Sequence, residues 1–131
     1  MAVGSLAVVG EWLGAVNRRD GHRVEQLSAE DVRIIGPRGS ATGRAALAAW
    51  VARAGFSAAA TRWFCGADGS VVVEQDARWT EPASGAELGR ARVASQFLVR
   101  GGTVAAYQRH ESLDAALAGA GLTRADEVTA G

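Results

Sequence analysis

The sequence predicts an α+β domain in which a cone-shaped, curved mixed β-sheet wraps around helices that precede it. Three observations carry this. Apolar residues recur at helical spacing through the first third of the chain and then stop. From residue 57 onward, long β-branched and aromatic runs alternate with glycine turns, as in an antiparallel meander. Helices followed by strands segregate into an α+β class, and strands of this length curl around what they cover.

Each element has its own signal. Residues 1–4 are expected to fray, with Ser5 as N-cap. Val9, Leu13 and Val16 then share one helical face, with Trp12 beside them. Asn17-Arg18-Arg19-Asp20-Gly21 breaks the period, and Asp20 caps a shorter helix carrying Val24 and Leu27. Val32-Arg33-Ile34-Ile35 is a strand bounded by Gly36-Pro37, and residues 36–43 read as a loop. Residues 44–54 form a third helix with Leu47, Trp50 and Val51 on one face and Gly55 as its stop. Strands follow at 57–65, 71–80, 89–100 and 103–111. They are joined by Gly66-Ala67-Asp68-Gly69, an exposed loop at 81–87, and Gly101-Gly102. Ser112 caps a last helix at 113–118, ended by Gly119 and Gly121. The polar tail at 123–131 is expected to be loose, giving one domain over 1–131 with its core at about 5–122.

Composition bounds the function. The 131 residues are 48% hydrophobic and 21% charged, enough for a packed core. Fourteen basic and fourteen acidic residues cancel, so nucleic acid and anionic membranes are not expected partners. Cys65 is the single cysteine, which excludes an internal disulfide and a multi-cysteine zinc site. No apolar run approaches the ~20 residues of a membrane helix. The first helix holds Glu11, ends in Arg18-Arg19 and lacks a basic start, unlike a signal peptide. A cytoplasmic location is expected.

Strand alternation sorts side chains into two faces. Val71, Val73, Gln75, Ala77 and Trp79 share a mostly apolar face taken as the interior, joined by Val93, Ser95, Phe97 and Val99. The last strand is ambiguous: Tyr107, Arg109 and Glu111 share one face, and Val104, Ala106, Gln108 and His110 the other. No spacing of His, Asp and Glu resembles a metal site, and no cofactor motif stands out. His22 reads as a surface residue and His110 as outward-facing.

The order of helix, Asn17-x-x-Asp20, short helix, Ala29-Glu30-Asp31-Val32 into a strand, then Gly43-Arg44-Ala45-Ala46-Leu47 opening a helix resembles the nuclear transport factor 2-like superfamily. Its members include SnoaL-like cyclases, ketosteroid isomerases and limonene epoxide hydrolases. The resemblance spans about residues 8–122 and implies the cystatin-like α+β barrel, with a ligand site in the mouth of the cone. It also favours Tyr107, Arg109 and Glu111 inside. The isomerase pattern places its oxyanion-stabilising tyrosine at Trp12, its proton-shuttling aspartate at Gly36 and its protonated aspartic acid at Ser95, so all three catalytic positions differ here. The epoxide hydrolase pattern of Arg-x-Asp meets Glu74-Gln75-Asp76, which has the acid without the arginine, and Ser112 stands near its last aspartate.

These readings leave Tyr107, Arg109 and Glu111 as the candidate catalytic set, with Glu111 as base, Arg109 holding charge and Tyr107 donating to an oxyanion. The plainer alternative is an ion pair closing the mouth. Trp12, Trp50, Trp79, Gln75, Ser95 and Phe97 are candidate ligand contacts, against core packing and a water-satisfied buried pair. Two functions stay open: an isomerase, cyclase or hydrolase of a hydrophobic small molecule, and a ligand-binding or dimerisation module without chemistry. Mixed charges at Glu74, Asp76, Arg78, Arg92, Gln96, Gln108 and His110 on the outer face predict a twofold homodimer there.

Overall fold

The computed structural model describes residues 2–36, 39–53, 55–81 and 83–129, without the side chains of 2, 3 and 53. Met1, Pro37, Ala54, Pro82 and the last two residues, which figure in the expected fray, loops, helix end and tail, lie outside the described residues.

Helix α1 (Ala2–Asn17) starts before Ser5, which is buried within it and is not its cap. Arg19 then adopts a left-handed backbone with φ of 57°, uncommon for a side-chain-bearing residue, and turns the chain sharply. Its guanidinium donates to Thr80 Oγ1 at 3.0 Å, which ties the turn to the sheet. Asp20 caps α2 (Gly21–Gln26) by accepting from the Arg23 backbone N–H at 3.1 Å.

Strand β1 (Ser28–Gly36) folds back on β2 (Gly39–Thr42), with Gly36 opposite Gly39. The segment expected to be a loop is therefore a hairpin whose second strand is wholly exposed. Helix α3 (Arg44–Arg53) follows, then the meander β3 (Phe56–Cys65), β4 (Ser70–Thr80), β5 (Glu87–Arg100) and β6 (Thr103–His110). Ser112 caps α4 (Leu113–Ala120) through the Ala115 N–H at 3.1 Å.

The described part of the tail, up to residue 129, is not loose. A 3₁₀ turn (Arg124–Asp126) with a capping box leads into β7 (Glu127–Val128), which pairs with β3. Arg62 donates twice to the Glu127 carboxylate, at 3.1 and 2.7 Å, which keeps that carboxyl below its ordinary pKa.

The sheet runs β2-β1-β6-β5-β4-β3-β7 and is mixed because β1 and β6 are parallel. It curls without closing. On the concave side α1 lies across β3 to β6, and α3 packs on α2, β1 and β2. On the convex side α4 covers Phe64, Val72 and Ala94 with Leu113, Ala116 and Leu117.

Two bulges decide which residues face inward. Thr61 is the extra residue between Ala60 and Arg62, so Phe56 and Ala58 point inward before it and Trp63 and Cys65 after it. Ala105 is likewise extra on β6, because Leu98 pairs with Ala106 and Val99 with Val104. Val104 and Tyr107 consequently both enter the core, although strict alternation puts them on opposite faces.

The β3–β4 turn is held against the end of β5. Gly69 has φ of +89°, its carbonyl accepts from Val99 N–H at 2.9 Å, and a Cβ there would lie 2.3 Å from the Val99 carbonyl oxygen. Gly69→Ala is expected to lower unfolding free energy by at least ~2 kcal/mol through strain and backbone clash. Chemical denaturation measures it, and an unchanged midpoint contradicts the packing described.

Candidate functional site

A cleft of about 430 Å³ opens where the β1–β2 hairpin, α3 and β6 converge. Ile34, Ile35, Gly36, Gly39, Ser40 and Ala41 form one wall, Ala46 and Trp50 a second, and Tyr107 and Arg109 the third. The volume suits a small molecule, and mostly apolar walls with a few convergent polar groups are the usual composition of such a site. No described carboxylate lines it.

Tyr107 is 3% exposed and sits at the centre of an aromatic cluster. Its ring centroid is 5.0 Å from Trp12, 5.2 Å from Phe97 and 6.0 Å from Trp50. Burial raises the pKa of its hydroxyl, while the Ser95 hydroxyl beside it and the charge of Arg109 pull the other way. Tyr107 is therefore protonated at neutral pH and available as a donor.

Behind Tyr107 lies a buried polar pair. Ser95 Oγ donates to Gln75 Oε1, and both residues are essentially inaccessible to solvent. Gln75 Nε2 has no hydrogen-bond partner among the described residues. An unmet buried donor costs about 1–3 kcal/mol, so this amide is an expensive group to keep in a core.

Arg109 is half-buried at the lip of the cleft. Its guanidinium lies over two aromatic rings, 5.8 Å from the Phe56 centroid and 5.3 Å from that of Trp79. It makes no hydrogen bond or ion pair with another described residue.

Glu111 does not line the cleft. It follows the last residue of β6, is exposed, and lines a separate cavity of about 290 Å³ with Trp79, Arg92, Val93, Arg109 and His110.

The other expected ligand contacts divide. Trp50 lines the cleft and Trp79 the smaller cavity. Trp12 is 1% exposed, and its indole N–H donates to Ser28 Oγ at 3.0 Å, so it is a core residue whose donor is already engaged. Phe97 and Gln75 are likewise enclosed in the core, and Ser95 reaches the cleft only through Tyr107. Sequence reasoning missed the hairpin wall and Ala46. Strand alternation at Ile34 and Ile35 is the one available signal, because the composition of the partner strand Gly39–Thr42 is that of a loop.

The outer face differs from the expectation as well. The C-terminal end of α4 packs over Gln96 and His110, whose Oε1 and Nε2 are 2.8 Å apart. Burial holds the His110 imidazole below its ordinary pKa, so it is neutral at pH 7. The uncovered mixed-charge face is thus reduced to the far ends of β4 and β5, where Arg92 meets Asp76 at 3.1 Å and Glu87 meets Arg90 at 2.8 Å and Arg78 at 3.4 Å.

Solved structures share this architecture. A nuclear transport factor 2-like protein of unknown function from Cytophaga hutchinsonii superposes with a TM-score of 0.72 at 14% identity, over 85% of this chain and 92% of the other. A protein of ketosteroid isomerase-like fold from Catenulispora acidiphila, in complex with trimethylamine, gives 0.68 at 21% identity, over 88% and 93%. SalBIII, an epoxide hydrolase/cyclase-like enzyme of pyran ring formation in the polyether salinomycin, gives 0.72 at 18% identity, over 84% and 92%. These likenesses establish the fold. No curated protein sequence matches this chain. The SnoaL-like domain matches residues 9–107, well over half of the 131, and the chain belongs to that family.

Proposed function

We propose that this protein binds a hydrophobic small molecule in the cleft and acts on it as an isomerase, cyclase or hydrolase, by stabilising negative charge that develops on a ligand oxygen. The observation that carries this reading is the convergence of Tyr107 and Arg109 on an otherwise apolar cleft. A protonated phenol and a guanidinium on the same wall of one cleft suit an oxyanion, and such groups act most strongly where water is excluded. SalBIII, with its cyclase-like chemistry on the same fold, supports this class of reaction. Glu111 is the nearest candidate base, reaching a substrate that extends past Arg109 into the smaller cavity.

The test is turnover of an enolisable bicyclic ketone. Removing a preorganised oxyanion donor costs about 10²-fold or more in kcat, so Tyr107→Phe and Arg109→Gln are each expected to fall by that much. Loss of an essential base costs about 10²–10⁴-fold, the expected effect of Glu111→Gln with KM little changed. Full activity in all three variants would remove the catalytic assignment.

A second reading has its own support. Glu111 is exposed outside the cleft, and Trp12, Gly36 and Ser95 occupy the isomerase catalytic positions. The cleft then serves binding alone, and ligands bind without turnover.

Self-association through the uncovered ends of β4 and β5 is also proposed, on the mixed charges of Asp76, Arg78, Glu87, Arg90 and Arg92. Light scattering at micromolar concentration is expected to give twice the chain mass, and a monomer mass rejects the contact.

A further inference from the structure

We propose that the ligand of the cleft is an anion: an apolar body bearing a carboxylate, sulfonate or enolate-type oxygen, which Arg109 neutralises and to which Tyr107 donates, with Ser95 and Gln75 setting the direction of the Tyr107 proton. This rests on the small-molecule reading of the cleft and narrows its substrate class.

Arg109 supplies the first argument. Six other arginines pair with carboxylates: Arg23, Arg62, Arg78, Arg90, Arg92 and Arg124. Arg109, less exposed than most of them, pairs with none among the described residues, and Glu111 beside it forms no ion pair with it. The rings of Phe56 and Trp79 hold the guanidinium in place without neutralising it. A partly desolvated cation at the edge of a cleft without carboxylates creates a local preference for negative charge.

The second argument is the unpaired amide of Gln75. In the present arrangement Ser95 gives its proton to Gln75 Oε1, and Gln75 Nε2 meets no acceptor. Rotating the amide by half a turn lets Nε2 donate to Ser95 Oγ. The Ser95 proton then passes to Tyr107 Oη, and the Tyr107 proton is free for the ligand. One donor each from Gln75, Ser95 and Tyr107 then runs in sequence toward the cleft, and hydrogen bonds aligned this way polarise one another. The rotation also exchanges an unpaired N–H for an unpaired C=O, the more tolerated of the two. An anion in the cleft favours this direction, whereas a neutral ketone gains less from it. Gln75 and Ser95 are thus positioning residues, acting through Tyr107.

Two dyes of one scaffold test this: 8-anilino-1-naphthalenesulfonate, an anion, and N-phenyl-1-naphthylamine, its neutral counterpart. Fluorescence titration of the intact protein is expected to show the anion bound about tenfold more tightly. Arg109→Gln should bring the two affinities together while leaving that of the neutral dye within about twofold. Gln75→Leu, which keeps the volume of the side chain, should narrow the preference about threefold without lowering the thermal midpoint, an effect that a purely structural role would not produce. Ser95→Ala should do the same. Ala46→Trp, which fills the cleft, should abolish binding of both dyes. Equal affinities in the unaltered protein, or equal weakening of both dyes by Arg109→Gln, overturn the anion inference and leave the small-molecule reading standing. Failure of both dyes to bind, or undiminished binding to Ala46→Trp, overturns both, and failure of the anionic dye alone overturns the anion inference.

Discussion

Trp12 joins the helical layer to the sheet, and the rest of the interior is arranged around it. Its ring packs edge-on to Phe97 at 5.2 Å and against Tyr107 at 5.0 Å, and its N–H reaches Ser28 at the start of β1. The Ser28 hydroxyl passes the bond on to the Val24 carbonyl at 2.6 Å, so one indole links α1, α2, β1, β5 and β6. Truncating a buried tryptophan in such a position costs about 3–5 kcal/mol. That is a large share of the roughly 5–15 kcal/mol that a domain has in total. Trp12 and Phe97 are enclosed in the core, and the cleft opens beside them, between the hairpin, α3 and β6.

The site therefore depends on β6, and β6 depends on one extra residue. The Ala105 bulge allows Val104 to close the core while Tyr107 and Arg109 still face inward. Tyr107 belongs to both regions: its ring packs with Trp12 and Phe97 in the core, and the residue lines the cleft. Arg109 is two residues further on, where the rings of Phe56 and Trp79 replace the missing carboxylate as its neighbours. The polar groups of the site are in this way fixed by packing, as a preorganised site requires.

Much of the fold is legible in the sequence because its signals are local. The caps at Asp20 and Ser112, the Gly66–Gly69 turn and the β-branched runs each act over a few residues. The helix-then-meander order is enough to imply a curled mixed sheet. What could not be read depends on distant partners. Gly39–Thr42 looks like a loop until β1 supplies its hydrogen bonds, and Glu127–Val128 looks like a tail until β3 does. Bulges at Thr61 and Ala105 have no composition signal, since any small residue can occupy them. The site suffered most from this. Trp12 reads as a candidate ligand contact because sequence cannot show that it is buried with its N–H already donated to Ser28. Alternation carries Glu111 onto the face of Tyr107 and Arg109, whereas β6 ends at His110 and Glu111 lies exposed beyond it. Gln75 and Ser95 were recognised as an inward polar pair, but the unpaired amide emerges only when their neighbours are known.

The central claim is that the cleft beside β6, and not the axis of the cone or the outer face, receives the ligand. Backbone amide chemical shifts recorded during titration with N-phenyl-1-naphthylamine test it most directly. The account predicts that the largest changes fall at Ile34, Ile35, Gly36, Ala41, Ala46, Trp50 and Tyr107. Changes centred on Leu113, Ala116 and Leu117 of α4, or spread evenly over the sheet, would contradict it.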